Sequence, residues 1–205
     1  MALPQVKRQV KHLAALDWRE VPNLMEELTH RESVSARTLE FIILTAARSG
    51  EARGACWSEI NDGVWTVPAS RMKRGIEHRV PLSYAAQAVI DRVRGLSEEL
   101  VFPSVQMDGR GKSKPQSVMV FKSLLGRMER VGFTVHGFRS SFRDWASESA
   151  RADREVAEAA LSHATGNEVE RAYARSDLFE RRIALMDSWA RHCAGTDGDV
   201  VRMVR

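Results

Sequence analysis

The residues most suited to chemistry lie in the last third of the chain. They are imidazole, guanidinium and phenol groups, at His136, Arg139, Arg143, His163 and Tyr173. Guanidinium groups bind the non-bridging oxygens of a phosphate through paired hydrogen bonds, and a tyrosine can act as a covalent nucleophile. The set therefore predicts a site for an anionic phosphate.

A helix is predicted to carry the first of these groups. Thr134 is expected to cap it, because a threonine oxygen can accept a hydrogen bond from an amide two or three residues on. Three aromatic residues recur at spacings of four and three and predict one apolar face: Phe138, Phe142 and Trp145. The first imidazole and both guanidiniums fall on another face. Alone, this pattern also fits a solvated basic face; the histidine and tyrosine downstream favour a site.

Motifs of several other enzyme classes are missing from the sequence. It contains no HExxH, no Gly-rich phosphate loop before a helix and no GxSxG, and no carboxylate cluster that suggests a two-metal nuclease. Arginine, lysine, histidine and tyrosine remain, and they suit phosphoryl transfer without a metal or a cofactor. Because the usual pKa of tyrosine is about 10, its ionisation requires nearby cations or a base, and a lysine can protonate the leaving alkoxide.

Composition limits the class of protein. The 205 residues are 43% hydrophobic, which predicts one domain with an ample core. The 31 basic and 27 acidic residues give a net charge of +4, which does not by itself indicate nucleic acid. Cys56 and Cys193 lie far apart and predict neither a disulfide nor a zinc site. The longest apolar run, 41–47, is too short for a bilayer, and the N-terminus has no apolar signal core, so we expect a soluble, cytoplasmic protein without a membrane partner.

Hydrophobic periodicity predicts a mainly α-helical domain with one small antiparallel β-sheet (α+β). Helices are expected to start at Pro22, Ser35, Ser83, Pro115 and Asp177. The second is expected to end over 47–51, and the fourth to bury Val118, Phe121, Leu124, Leu125 and Met128. Tyr84 is expected to be a core residue.

Strands and connections are predicted from residues with a period of two. Strands are expected at 64–67 and 78–82, with a first strand near 57–60. The basic connection 69–75 contains a turn glycine and could reach a ligand held by the helices. A Gly/Lys-rich loop is expected at 108–114, and Asn167 with Glu170 resembles a capping box before the tyrosine.

Several segments together resemble one known family. They are Leu44-Thr45-Ala46-Ala47-Arg48-Ser49-Gly50-Glu51, Arg71-Met72-Lys73, His136-Gly137-Phe138-Arg139, Leu161-Ser162-His163 through Ala172-Tyr173, and Arg181-Arg182 with Leu185-Met186. The chain resembles, over roughly 17–193, the catalytic domain of tyrosine recombinases, the phage integrase family, in particular integrases of prophages and genomic islands. It departs at Ala46, where many members carry glycine.

The resemblance implies roles for residues in the first half of the chain. Arg48 is similar to the first catalytic arginine, and Glu51 to the acid that supports it. Lys73 is similar to the hairpin lysine, the general acid for the 5′-hydroxyl, with Arg74 as an alternative assignment. Read without the resemblance, these would be a helix-end cation, a surface acid and solvated turn residues.

The resemblance also implies roles for the C-terminal set. Arg139 would grip the scissile phosphate, and His136 would either assist proton transfer from the tyrosine or hold the phosphate. His163 is similar to a third phosphate contact, its alternative being a satisfied core histidine, and Tyr173 is similar to the nucleophile. Arg143 matches no catalytic position and is expected to be a surface or DNA-backbone contact.

The implied reaction is DNA strand exchange through a 3′-phosphotyrosine, with double-stranded attachment-site DNA and other protomers as partners. The covalent link keeps the bond energy, so no cofactor or metal is expected. Residues 1–17 are expected to be a linker or the remnant of a missing core-binding domain, 18–194 the catalytic domain and 195–205 a frayed tail.

Two other functions stay open at this point. One is nicking and resealing like that of a type IB topoisomerase; the other is a non-catalytic DNA-binding or assembly module. The last helix carries an apolar stripe from Phe179 to Cys193 that could pack within the chain or dock on a neighbouring protomer.

Overall fold

The structure, a computed structural model, describes residues 14–163 and 176–196. Its helices are α1 Val21–Thr29, α2 Val34–Thr45, α3 Ser49–Arg53, α4 Tyr84–Asp91, α5 Val120–Arg127, α6 Gly137–Glu148, α7 Arg154–Ala160 and α8 Phe179–Cys193. Its strands are β1 Ile60–Asn61, β2 Val64–Val67, β3 His78–Pro81, β4 Pro103–Met107 and β5 Ser113–Pro115. The prediction of a mainly helical fold with a small antiparallel sheet is confirmed.

Helix α2 forms the centre of the molecule. Every residue from Ser35 to Thr45 is buried, and the helix contacts α1, α3, α4, α5, α6 and α8. Phe41 packs against Trp65 of β2 and Phe102. The helix has no exposed face, and its polar residues are buried too, among them the ion pair of Arg37 with Glu40, so its apolar stripe alone understated its burial.

The N-terminus of α2 differs from the prediction. Ser33, not Ser35, is the cap: its backbone is extended, and its hydroxyl accepts from the amide of Ala36 at 3.2 Å. Ser35 lies inside the first turn, where its side chain is 3.1 Å from the Ser33 hydroxyl. Two serines separated by one residue give the same local signal, and backbone geometry decides between them.

The C-terminus of α2 is sharper than predicted. The helix ends at Thr45, Ala46 adopts a left-handed backbone with φ of 50°, and a separate short helix, α3, begins at Ser49. A left-handed residue is best accommodated by glycine, which gives a physical reason for the glycine that many tyrosine recombinases carry here.

Strands β1, β2 and β3 form an antiparallel sheet in that order, with Trp65 opposite Val80 and Val67 opposite His78. The predicted strands at 64–67 and 78–82 are confirmed. The expected first strand is shorter, because Trp57–Glu59 is a 3-10 helix.

A second, two-stranded sheet was not predicted. Asp108 accepts from the amides of Arg110 and Lys112, both at 2.8 Å, and closes a turn between β4 and β5. Pro115 lies in β5, so the prediction that it opens a helix is wrong; a proline is compatible with an edge strand, where its missing amide breaks no ladder. Helix α5 starts at Val120, and Val118, predicted to be buried, is 70% exposed.

Two further side-chain predictions are decided by packing. Tyr84, predicted to be in the core, is 87% exposed, because it is the first residue of α4 and the buried face begins at Ala86. The apolar stripe of α8 packs within the chain: Trp189 is fully buried, contacts Phe142 and Trp145, and donates to the carbonyl of Ile43 at 2.7 Å.

No helix in the described part of the chain is both long and apolar enough to cross a membrane.

Candidate phosphate-binding site

Arg48 lies between the end of α2 and the start of α3. Its amide donates to Oε2 of Glu51 at 3.0 Å, and its Nη1 lies 2.7 Å from Oε1 of the same carboxylate. Glu51 is buried. The carboxylate therefore fixes both the backbone and the guanidinium of Arg48, which supports the role predicted for Glu51.

Arg139 of α6 connects three parts of the chain. It is buried, and its guanidinium donates to the carbonyls of Ala46 and Leu161, each at 2.5 Å, with Nη2 3.0 Å from Nε2 of His163. Burial, with the nearby charge of Arg48, lowers the pKa of Arg139 to about 10. The group therefore stays charged at neutral pH.

His136 immediately precedes α6. Thr134 accepts from the amide of Gly137 at 3.1 Å, three residues on as predicted, but His136 rather than Thr134 is at the N-cap position, so Thr134 closes the turn before the helix. A Cβ on Gly137 would lie 2.5 Å from the carbonyl oxygen of Ala14, so glycine is required where residues 14–15 cross the helix start. Close packing thus accounts for the glycine of the His-Gly-Phe-Arg motif.

The electrostatic surroundings of His136 show how the predicted residues converge. Burial lowers its pKa, and electrostatic interactions with Arg139, Arg48, His163 and Lys73 lower it further. A small pocket of about 170 Å³ lies beside them, lined by His136, Arg139, Ser140, Arg143, Asp144, Glu158, Leu161 and His163. A concentration of cations around a pocket can neutralise a phosphodiester.

Lys73 and Arg74 are exposed on the connection between β2 and β3. The connection turns at Gly75, whose φ is 64° and whose amide donates to Met72 at 3.0 Å. Arg71, just before it, donates to the Glu51 carbonyl at 3.1 Å and pairs with Glu59 at 2.6 Å. These contacts tie the base of the connection to α3 and leave Lys73 at its exposed end.

His163 follows α7 and is partly exposed, so it is not a core histidine. Its Nδ1 lies 2.7 Å from Oε2 of Glu158, and its Nε2 faces Arg139. The other oxygen of Glu158 accepts from Nε of Arg143 at 2.8 Å. Arg143 thus borders the pocket with one donor engaged, and its contact with DNA stays a prediction.

The structure brings five of the six predicted catalytic residues into one region: Arg48, Lys73, His136, Arg139 and His163. Tyr173 and the predicted capping box at 167–170 lie outside the described residues. The described chain stops at His163 and resumes at Ser176.

Three polar residues near the site were not found from the sequence. Glu158 stands five residues before His163, a spacing that could have suggested a contact. Arg182 is buried and donates to the Arg79 carbonyl at 2.5 Å and to Asp177 at 2.7 Å, which connects β3 to the start of α8. His78 opens β3 between these groups, and no local signal indicates it.

His78 carries a strong pKa shift. Burial lowers its pKa from 6.5 to about 4, assisted by Arg182 and opposed by Glu51 and by a hydrogen bond to the Ala160 backbone. The imidazole is therefore neutral at neutral pH. It lies next to the backbone of Ala160 in α7 and adds no positive charge there.

The shift at His78 predicts a pH-dependent stability. Between pH 6.5 and about 4 the unfolded chain binds a proton that the folded chain does not, so stability is lost as the pH falls through this window. We expect the difference in free energy of unfolding between the wild type and His78→Gln to shrink by up to about 3 kcal/mol from pH 6.5 to pH 4. Urea unfolding at several pH values measures this difference. Buried Glu40, whose pKa is raised to about 7, is present in both proteins, so its contribution cancels when the two free energies of unfolding are subtracted. A constant difference would contradict the prediction.

A model described as "Phage integrase family" matches residues 14–178. Prophage integrase IntA of Escherichia coli K12 is 36% identical over 194 residues, covering 90% of this chain and 45% of IntA. Prophage integrase IntZ of the same strain is 31% identical over 192 residues, covering 89% of this chain and 46% of IntZ. The chain spans about half the length of these curated relatives.

Two solved structures share the fold. A lambda integrase dimer bound to a COC′ core site aligns with a TM-score of 0.55 and 19% identity, covering 83% of this chain and 63% of that one. A lambda integrase tetramer bound to a Holliday junction aligns with a TM-score of 0.58 and 16% identity, covering 85% of this chain and 51% of that one. At these identities the likeness establishes the fold.

Proposed function

This chain belongs to the phage integrase family, and on that premise we propose that residues 18–194 are the catalytic domain of a DNA integrase, a site-specific recombinase. Its substrate is double-stranded DNA, and it acts with other protomers, as the DNA-bound lambda integrase dimer and tetramer suggest. The observation that carries the proposal is the pocket lined by His136, Arg139 and His163, in which Arg139 contacts His163 and also the carbonyl of Ala46, two residues before Arg48.

In the first step the hydroxyl oxygen of Tyr173 attacks the scissile phosphorus. A tyrosine–phosphate bond forms to the 3′ side, the bond to the 5′-oxygen breaks, and Lys73 gives that oxygen a proton. Arg48 and Arg139 hold the non-bridging oxygens through charge-assisted hydrogen bonds. Arg139 suits this role because its backbone contacts fix its position before DNA arrives.

We assign His136 the role of taking the tyrosine proton. Its lowered pKa keeps the ring neutral at neutral pH, and a neutral imidazole can accept a proton. In the second step a 5′-hydroxyl of a partner duplex gives its proton to Lys73 and attacks the phosphotyrosine, and the phenol oxygen leaves with the proton returned by His136. The bonds made and broken are equivalent, so no energy source is consumed.

The test uses the full chain and a pool of nicked suicide duplexes with a randomised core. Cleavage next to the nick releases a short strand and traps the intermediate, so we expect a protein–DNA adduct that survives denaturing electrophoresis. No adduct under any salt condition would reject the proposal. Adducts accompanied by plasmid relaxation, without strand transfer between duplexes, would instead indicate a nicking and resealing enzyme.

The same assay tests the metal requirement. Because arginine and lysine supply the positive charge at the phosphate, adduct formation is expected to proceed at an unchanged rate in excess EDTA. The control is a matched reaction with added Mg²⁺. Strict dependence on Mg²⁺ would contradict the proposed chemistry.

A further inference from the structure

Glu158 of α7 is held at both carboxylate oxygens. Oε2 lies 2.7 Å from Nδ1 of His163, and Oε1 accepts from Nε of Arg143 at 2.8 Å. The side chain is only 17% exposed. Burial alone would raise the pKa of Glu158, but hydrogen bonds from Arg143 and His163 outweigh it and the pKa is lowered. The group is therefore an anion at neutral pH.

These contacts decide which ring nitrogen of His163 carries the hydrogen. A guanidinium has only donors, so Nε2 of a neutral His163, 3.0 Å from Nη2 of Arg139, must accept. Nδ1 then carries the hydrogen and donates to Glu158.

The ring orientation follows from the same arrangement. Nδ1 and Nε2 are both engaged, by groups on α7 and α6 respectively. Arg143, also on α6, holds the carboxylate from its other side. The imidazole cannot rotate without losing one of these hydrogen bonds.

We infer that Glu158, held by Arg143, is a positioning residue that sets the tautomer and orientation of His163 so that Nε2 faces Arg139, the arginine proposed to hold the phosphate. The part of this inference that concerns the phosphate rests on the proposed function. The contact of Glu158 with the His163 ring does not depend on the proposed function. A carboxylate that orients a histidine in this way raises its basicity and fixes its tautomer.

The test is Glu158→Gln. A glutamine replaces one carboxylate oxygen by an NH₂ donor. It therefore cannot accept from Arg143 and His163 at the two positions that the carboxylate oxygens occupy, and the ring is no longer held by an anion. We expect single-turnover adduct formation to slow by about 10- to 100-fold, the range seen when a carboxylate behind a functional histidine is removed. DNA affinity is expected to change by less than about threefold, because His163 contributes to the reaction more than to binding. Glu158→Asp keeps the carboxylate and should recover part of the rate.

A readout independent of activity follows the His163 ring itself. Long-range ¹H–¹⁵N spectra distinguish the two neutral tautomers, and the Nδ1–H form expected in the wild type should give way to a mixture in Glu158→Gln. Glu155→Gln is the matched control, since Glu155 is an exposed glutamate on the same helix. Thermal melts establish that each variant is folded.

Two results would overturn the inference: an unchanged His163 tautomer in Glu158→Gln, or adduct formation by that variant at the Glu155→Gln rate. Failure of the proposed function looks different, because the wild type would then form no adduct at all. In that case the ring spectra still decide whether Glu158 sets the tautomer.

Discussion

Tyr173→Phe is expected to abolish the covalent protein–DNA adduct while leaving DNA binding intact. Phenylalanine keeps the ring but has no oxygen to attack phosphorus, so the expected loss is on the order of 10⁴-fold or more, which an adduct gel registers as complete. Binding is measured separately by a mobility shift on an intact duplex. Equal binding with no adduct assigns the residue to the chemical step.

The chain supplies a matched control for this experiment, because it contains only two tyrosines. Tyr84 is 87% exposed at the start of α4, so Tyr84→Phe should leave the fold and the adduct unchanged. Trypsin separates the two residues: Tyr173 falls in the peptide 172–175 and Tyr84 in 80–92. Mass spectrometry should find the nucleotide remnant on 172–175. An adduct retained in Tyr173→Phe would reject this residue as the nucleophile.

Arg139→Lys is expected to lower the rate of adduct formation by about 10²–10³-fold, the cost of removing one preorganised contact to a developing charge. A guanidinium presents a planar fork to two phosphate oxygens, which an ammonium cannot reproduce. Lysine also cannot serve the Ala46 carbonyl, the Leu161 carbonyl and a phosphate in the geometry that Arg139 uses. The rate is measured under single-turnover conditions at saturating protein.

Arg139→Ala shows how much Arg139 contributes to the stability of the fold, as distinct from the rate of adduct formation. Alanine leaves two buried carbonyls unsatisfied, and each costs about 1–3 kcal/mol, so this variant is expected to lose stability as well as activity. Arg154→Lys, at an exposed arginine of α7, controls for the exchange of arginine for lysine. A folded Arg139→Lys that forms adduct at the wild-type rate would contradict the role proposed for Arg139.

Local sequence signals predicted elements whose cause is local. Pro22, Ser83 and the aromatic face of α6 act within a few residues, and the structure confirms each of them. The errors occur where two similar signals compete or where pairing partners are distant. Ser33 and Ser35 both fit a helix cap. Pro115 lies opposite Pro103 in a hairpin, a pairing that its neighbours in sequence do not indicate.

The same distinction applies to the site. Residue types and spacing selected His136, Arg139 and His163, and the family resemblance added Arg48 and Lys73. In the structure Arg139 contacts His163 and the Ala46 carbonyl, and the charges of Arg48 and Lys73 act on His136. Neither spacing nor the resemblance was sufficient to find His78, whose environment is made by side chains from other elements. Tyr84 is the opposite kind of error: it was predicted to be buried and is exposed. An aromatic residue on a helix is buried only where its face packs against another element.

The sequence by itself determined the identity of the chemical groups and the mainly helical class, because these follow from residue types and short-range spacing. It determined the family through the resemblance of several motif segments. Only the tertiary structure decided which groups meet. Arg139 reaches the backbone of Ala46, 93 residues earlier, and Glu158 divides its two oxygens between Arg143 and His163. Such contacts depend on how α2, α6 and α7 pack, and packing is a property of the whole core rather than of any one segment.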